Sequence, residues 1–201
     1  MRGRLFMQNK NLKVLVECAI MVALATVLSY IKVYEFPFGG SITLLSMMPI
    51  LIISFRRGIA AGLGSAFVYS LIQLIQGAGN FVWVSTPMGV FGSVVLDFIL
   101  PFTLLGLAGI FYNDRQRGKR AIVSIIAGTF MVLLLRYSSH VLSGGIIWYE
   151  ISKEFAEEGD WILTTGRWVY SLGYNIMYMG PEAAITLAAS PLIFKLKDII
   201  K

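Results

Sequence analysis

Long apolar runs separated by short clusters of charge are the dominant pattern along this chain. The runs fall at 14–33, 42–55, 58–76, 88–111, 121–148 and 168–194. A helix needs about 20 apolar residues to cross the hydrocarbon core of a bilayer. The pattern therefore predicts an all-α integral membrane protein, a bundle of about six transmembrane helices. The second run is short for a straight crossing, and Phe55-Arg56-Arg57-Gly58 leaves only a tight turn before the third. Pro101 and Pro181 fall inside later runs. Kinks there are tolerated when neighbouring helices satisfy the freed carbonyls. The first run is longer than the apolar core of a cleaved signal peptide, about 7–15 residues, and reads as a retained helix.

Charge orients the bundle. Arg2, Arg4, Lys10 and Lys13 precede the first run; Arg56 and Arg57 join the second and third. Arg115, Arg117, Lys119 and Arg120 join the fourth and fifth, and Lys195, Lys197 and Lys201 end the chain. The other side has Lys32, Lys153 and Arg167 against Glu35, Glu150, Glu154, Glu157, Glu158 and Asp160. Because basic loops stay inside, both termini are expected in the cytoplasm. The acidic segment 149–167 reads as a solvated outer loop with a short amphipathic helix. Weak, salt-screened attraction of cationic solutes is the functional alternative.

Composition agrees with this picture. Hydrophobic residues make up 57% of the 201 and charged ones 14%, against roughly 45–50% and about 25% in soluble domains. One transmembrane domain over 1–201 is expected, in contact with membrane lipid. The net charge of +6 raises nucleic acid as a partner, but the basic residues lie between apolar runs and report topology, so none is expected. One cysteine, Cys18, and one histidine, His140, leave little material for a metal centre. No metal and no cofactor are expected.

Ionisable groups inside an apolar span cost roughly 2.5–3.5 kcal/mol at its centre, so each needs a reason. Glu17, Asp97, Arg136, His140 and Glu182 qualify. At a rise of about 1.5 Å per residue, Asp97, His140 and Asn175 fall at one level, about 10–13 Å below the outer surface. Arg136 and Glu182 fall deeper and can pair beneath them. His140, Gly144 and Trp148, at i, i+4 and i+8, share a helix face within about 80°. A planar ring can lie on such a glycine patch, although glycine also serves helix packing and tryptophan the interface. The ligand suited to these groups is a small, flat, cationic or hydrogen-bonding heterocycle. Tyr170, Tyr174 and Tyr178 form a stripe on the last span. Tyr170 and Asn175 would point about 140° apart on a regular helix, so both face one ligand only if the helix starts irregularly or the site wraps around it. Phe36-Pro37-Phe38-Gly39-Gly40-Ser41 reads as a loop, either a lid or a plain connection. Ala19 and Ala23 form a small-xxx-small pair that admits a close helix, internal or from another protein.

These stretches carry a family resemblance. FPFGGSITLLSMMPI (36–50), SFRRG (54–58), VVLDF (94–98), RYSSHVLSGGIIW (136–148) and WVYSLGYNIMYMGPE (168–182) resemble the thiamine-specific substrate-binding (S) components of energy-coupling-factor (ECF) vitamin transporters. The resemblance covers nearly the whole chain. It implies high-affinity thiamine binding and uptake, with an S component for another small heterocyclic vitamin as the alternative. It implies that Asp97, His140, Gly144, Trp148, Tyr170 and Asn175 line the pocket, with Asp97 meeting the aminopyrimidine and aromatic rings stacked on the ligand. Phe98 stands where family members often have tyrosine and lacks its hydroxyl. Tyr34 and Phe36 are the candidates for a stacking loop aromatic. The resemblance also implies docking through Ala19 and Ala23 on a transmembrane coupling subunit joined to two cytoplasmic ATPases, in a prokaryotic cytoplasmic membrane. The sequence has no GxxxxGK[ST] phosphate loop, so an ATP-driven step falls to partners.

An intramembrane hydrolase is the competing class, because Ser138, Ser139 and Ser143 lie near His140. Adjacent residues on a helix point apart, Ser143 is only an i+3 neighbour, and neither GxSG nor HExxH occurs. The chain is not expected to be an enzyme.

Overall fold

The computed structural model describes residues 2–36, 39–113 and 115–199, with side chains between 10 and 196. Pro37 and Phe38 of the glycine-rich segment, Lys201, and the side chains of Arg2, Arg4 and Lys197 lie outside the described residues. Among the described residues, four helices are long and apolar enough to cross a membrane: α1 (Arg2–Tyr30), α3 (Ile59–Trp83, its last six residues 3₁₀), α4 (Pro87–Phe111) and α5 (Gly118–Glu154). The short α2 (Met48–Arg57) and the 23-residue α7 (Arg167–Ala189) complete a bundle of six. Two short helices, α6 (Trp161–Thr164) and α8 (Leu192–Ile199), flank α7.

Apolar side chains cover the outside of the bundle as well as its core. Leu15, Ile20, Leu24 and Val27 of α1, and Val123, Phe130 and Leu134 of α5, face outward. Hydroxyls and glycines face inward. Ser54 donates to the Gly106 carbonyl at 2.6 Å and accepts from the Gly109 N–H at 2.9 Å. A Cβ on Gly106 would run into the backbone of Gly62 and Leu63, and one on Gly128 into the Ala108 carbonyl. Lipid is as apolar as leucine, so close backbone approach and hydrogen bonding hold such helices together. Gly106→Val is therefore expected to lower stability by about 1–3 kcal/mol or more, read as a lower unfolding midpoint in detergent; an unchanged midpoint would show that α3 and α4 can separate freely.

Several boundaries differ from the sequence reading, among them the end of the third helix, which runs to Trp83 rather than 76. The connection after α1 is a β-hairpin, not an irregular loop. β1 (Lys32–Glu35) pairs antiparallel with β2 (Ser41–Thr43), with Tyr34 opposite Ile42 and Glu35 opposite Ser41. Gly39 and Gly40 have φ of 97° and 91°, a region open to glycine, and they let the chain reverse. The helix expected from 42 thus begins only at Met48. Ten residues span about 15 Å, half the membrane, and α2 compensates by being buried in protein from Met48 to Leu51. The fifth helix continues past Trp148 to Glu154. The sixth ends at Ala189, where Ser190 donates to the Leu187 carbonyl and Pro191, which has no N–H, follows before α8.

Glu17, one of the unexplained intramembrane acids, is answered at the opposite end of the bundle from the hairpin. It lies 2.9 Å from Arg56 Nε and accepts from Arg57 Nε at 2.7 Å.

Candidate functional site

A cavity of about 210 Å³ opens at the hairpin end, between α1, α3, α4, α5 and α7. Asp97 is its best-organised group. Three donors converge on Oδ2: Ser93 Oγ at 2.6 Å, Ser143 Oγ at 2.7 Å and Trp148 Nε1 at 2.8 Å. Oδ1 has one long contact, to His140 Nδ1 at 3.4 Å. One carboxylate oxygen is thus saturated by the protein, and the other is left for a further donor.

Two π-helical turns build this arrangement. Pro101 has no N–H and its ring clashes with the carbonyl of Asp97, four residues earlier. The ladder slips by one residue over Val94–Ile99, and the Leu100 N–H bonds to the Val95 carbonyl. A second π turn covers Gly144–Trp148. A wider turn advances less per residue, so Trp148 swings back toward the His140 face rather than standing about 80° away. Such turns recur at functional sites because they re-aim side chains.

His140 is held edge-on by Phe102 and Tyr178, with ring centroids 6.5 and 6.2 Å away, and its Nε2 is buried without a hydrogen-bond partner. Asn175 donates to the Ser171 carbonyl at 2.9 Å and accepts from Tyr178 Oη at 2.6 Å. Gly144 lines the cavity, but its missing side chain also serves packing: a Cβ there would meet Ser171 Oγ and Asn175 Nδ2. Tyr170 and Asn175 both line the cavity although α7 is regular from Arg167. Its lining residues at 170, 171, 174, 175, 178 and 182 cover an arc of about 140°. The cavity wraps around that face. Tyr170 stacks on Tyr174 (5.8 Å, 25°) and meets Trp161 at 4.6 Å.

Arg136 and Glu182 pair at 2.8 Å, both almost fully buried. Thr43 of β2 donates to Glu182, and the Arg136 guanidinium lies 4.6 Å from the Phe102 ring centre. The floor is thereby tied to the hairpin. Tyr174 Oη adds a second tie, to the Gly39 carbonyl at 3.1 Å.

Seven of the expected site residues, Asp97, Phe98, His140, Gly144, Trp148, Tyr170 and Asn175, line this one cavity. Tyr34 does not: it is 57% exposed on β1, its ring edge-on to Phe36 at 4.7 Å. Phe36, the other loop candidate, sits 6.0 Å from both Tyr174 and Tyr178. Ala19 and Ala23 lie exposed on α1. The serines of the hydrolase reading are engaged elsewhere: Ser138 with the Leu134 carbonyl, Ser139 with the Leu96 carbonyl, Ser143 with Asp97. The cavity is also wider than the last three helices. Ser29, Gln73, Gln76 and Asn80 line it from α1 and α3. Gln73 and Gln76, two amides at i and i+3 in a largely apolar run, are the sequence signal for that wall.

A bundle with lipid-facing apolar sides and an aromatic-walled cavity around the Asp97 carboxylate has the form of a membrane protein that binds small molecules. A family model described as thiamine transporter protein matches residues 15–200. The chain belongs to the thiamine transporter family. It is 35% identical to the thiamine transporter ThiT of Bacillus subtilis over 93% of each chain. It is 28% identical to ThiT of Lacticaseibacillus paracasei, over 95% of this chain and 94% of that one. Among solved structures it resembles ThiT from Listeria monocytogenes (TM-score 0.66, 24% identity, 95% and 96% of the two chains). It also resembles the S component of a bacterial ECF transporter (TM-score 0.61, 17% identity, 95% and 99%). At that identity these two likenesses speak for the fold.

Proposed function

We propose that this chain captures thiamine at the outer face of a prokaryotic cytoplasmic membrane and serves as the substrate-binding component of an ATP-driven ECF transporter. The charge balance of the cavity carries the reading. Lys32 is paired with Glu35 at 2.6 Å and Arg136 with Glu182 at 2.8 Å, which leaves the Asp97 carboxylate without a countercharge apart from the long His140 contact. A net negative, aromatic-walled cavity complements a flat monocation, and thiamine is one by virtue of its thiazolium ring. Asp97 Oδ1 accepts from the aminopyrimidine. His140 Nε2 and the Tyr170–Tyr174–Tyr178 stripe contact the rings, while Trp148 presents its indole face.

Both termini lie in the cytoplasm in this reading, so the hairpin end faces outward. The exposed face of α1 around Ala19 and Ala23 receives the transmembrane coupling subunit, to which two ATPases are joined. The whole chain, 1–201, acts as one substrate-binding membrane domain.

Titration of the purified protein with thiamine, followed by tryptophan fluorescence, tests the reading. Saturable quenching is expected, resistant to competition by riboflavin or biotin; no saturable response would end the proposal. Trp148→Ala is expected to weaken binding about tenfold, from loss of a cation–π contact and of one donor to Asp97, and to remove most of the quenching. Quenching that survives in this variant would assign the signal to Trp161 or another indole.

A further inference from the structure

The wall formed by α1 and α3 has a different chemistry from the Asp97 end. It carries no uncompensated charge: Ser29, Gln73, Gln76 and Asn80 are neutral, and Lys32 above them is taken by Glu35. Gln76 is its centre. Its side-chain amide oxygen lies 3.2 Å from Ser29 Oγ and 3.5 Å from Gln73 Nε2, while its own nitrogen is buried without a hydrogen-bond partner. The hydroxyl of Ser29 has one proton and a nearer acceptor, the Thr26 carbonyl at 2.7 Å. The Ser29 contact therefore holds the Gln76 amide in place without satisfying it.

A buried amide nitrogen with no partner costs about 1–3 kcal/mol and calls for an explanation. Gln76 lines the cavity, so a ligand group can supply the missing partner. The two ends of the cavity are also adjacent. Phe98, next to Asp97, rests its ring where a Cβ on Gly77, next to Gln76, would stand. A ligand gripped at Asp97 and lying along Phe98 reaches Gln76 with its far end.

Building on the reading above, we propose that Gln76 is a specificity-determining residue that binds the hydroxyethyl arm of thiamine. A hydroxyl both donates and accepts, so it satisfies the Gln76 amide in either orientation of its oxygen and nitrogen. A hydrocarbon arm leaves the amide nitrogen unpaired.

The test is a two-by-two comparison in detergent: wild type and Gln76→Leu, each titrated with thiamine and with the analogue whose hydroxyethyl group is replaced by ethyl. One hydrogen bond corresponds to a discrimination of up to about tenfold. Wild type is expected to prefer thiamine by about that factor. Gln76→Leu is expected to lose the preference while binding the ethyl analogue as well as wild type does, which also shows that the variant is folded. Equal weakening of both ligands would make Gln76 a packing residue and overturn the proposal. An undiminished preference for thiamine in Gln76→Leu would place the hydroxyl elsewhere and overturn it too. Failure of wild type to bind either compound would instead remove the thiamine reading on which this inference stands.

Discussion

Asparagine at position 97 is expected to weaken thiamine binding by about 10- to 150-fold, with little loss of folded protein. The reason lies in the division of labour between the two carboxylate oxygens. Oδ2 accepts from Ser93, Ser143 and Trp148, and an asparagine oxygen in that position keeps all three bonds. The Oδ1 position then becomes an NH₂ group. It presents donors where the ligand needs an anionic acceptor, and the cavity loses its uncompensated charge. A hydrogen bond to a charged group is worth about 1.5–3 kcal/mol, which sets the magnitude. Calorimetric titration with thiamine and a thermal melt of the same sample separate binding from folding. Equal affinities for Asp97→Asn and wild type would remove Asp97 from ligand contact. Asp97→Ala makes a useful contrast, because it leaves three donors unpaired and is expected to lower the melting midpoint as well.

The second large effect concerns the floor. Glu182→Leu is expected to destabilise the protein by about 3–5 kcal/mol, because it leaves the Arg136 guanidinium as a lone buried charge. Among the described residues, Arg136 then keeps the Phe102 face and the Met47 sulfur, 2.8 Å from Nη1. Thr43 loses an acceptor on the same change, so the hairpin end loosens along with the floor. Replacing both members, Arg136→Met with Glu182→Leu, is expected to recover most of the loss, since well-packed apolar residues often match a buried ion pair. Unfolding midpoints of wild type, the two single variants and the double variant form the cycle. Additive single effects would show that the pair is not coupled and that the hairpin is held by other contacts.

Several of these features were legible before any coordinates. Ionisable residues in apolar runs are costly enough that their partners can be sought by depth alone, and the Arg136–Glu182 pair and the Asp97–His140 level emerge from that count. Asn175 at the same level donates toward the His140 carbonyl at 3.4 Å. Other features were not legible. The hairpin was hidden because Lys32–Glu35 and Ser41–Thr43 are too short to show a period distinguishable from helix ends. Gln73 and Gln76 sit in a run whose apolar average outweighs two amides. The slip at Pro101 was visible as a kink, but a sequence does not say whether a freed carbonyl is met by a wider turn, a water or a neighbouring hydroxyl.

The sequence by itself determined that this chain lives in a membrane, which way its basic loops bias it, and which few polar side chains must find company inside. Those follow from solvation, since hydrocarbon tolerates neither unpaired backbone nor lone charge. Only the tertiary structure decided that protein donors saturate one Asp97 oxygen and leave the other open, that a π turn swings Trp148 further toward His140, and that a neutral amide wall stands beside the carboxylate. Those depend on differences of an ångström in helix register and on which glycines let two backbones touch, and such quantities belong to the packed bundle rather than to any one of its segments.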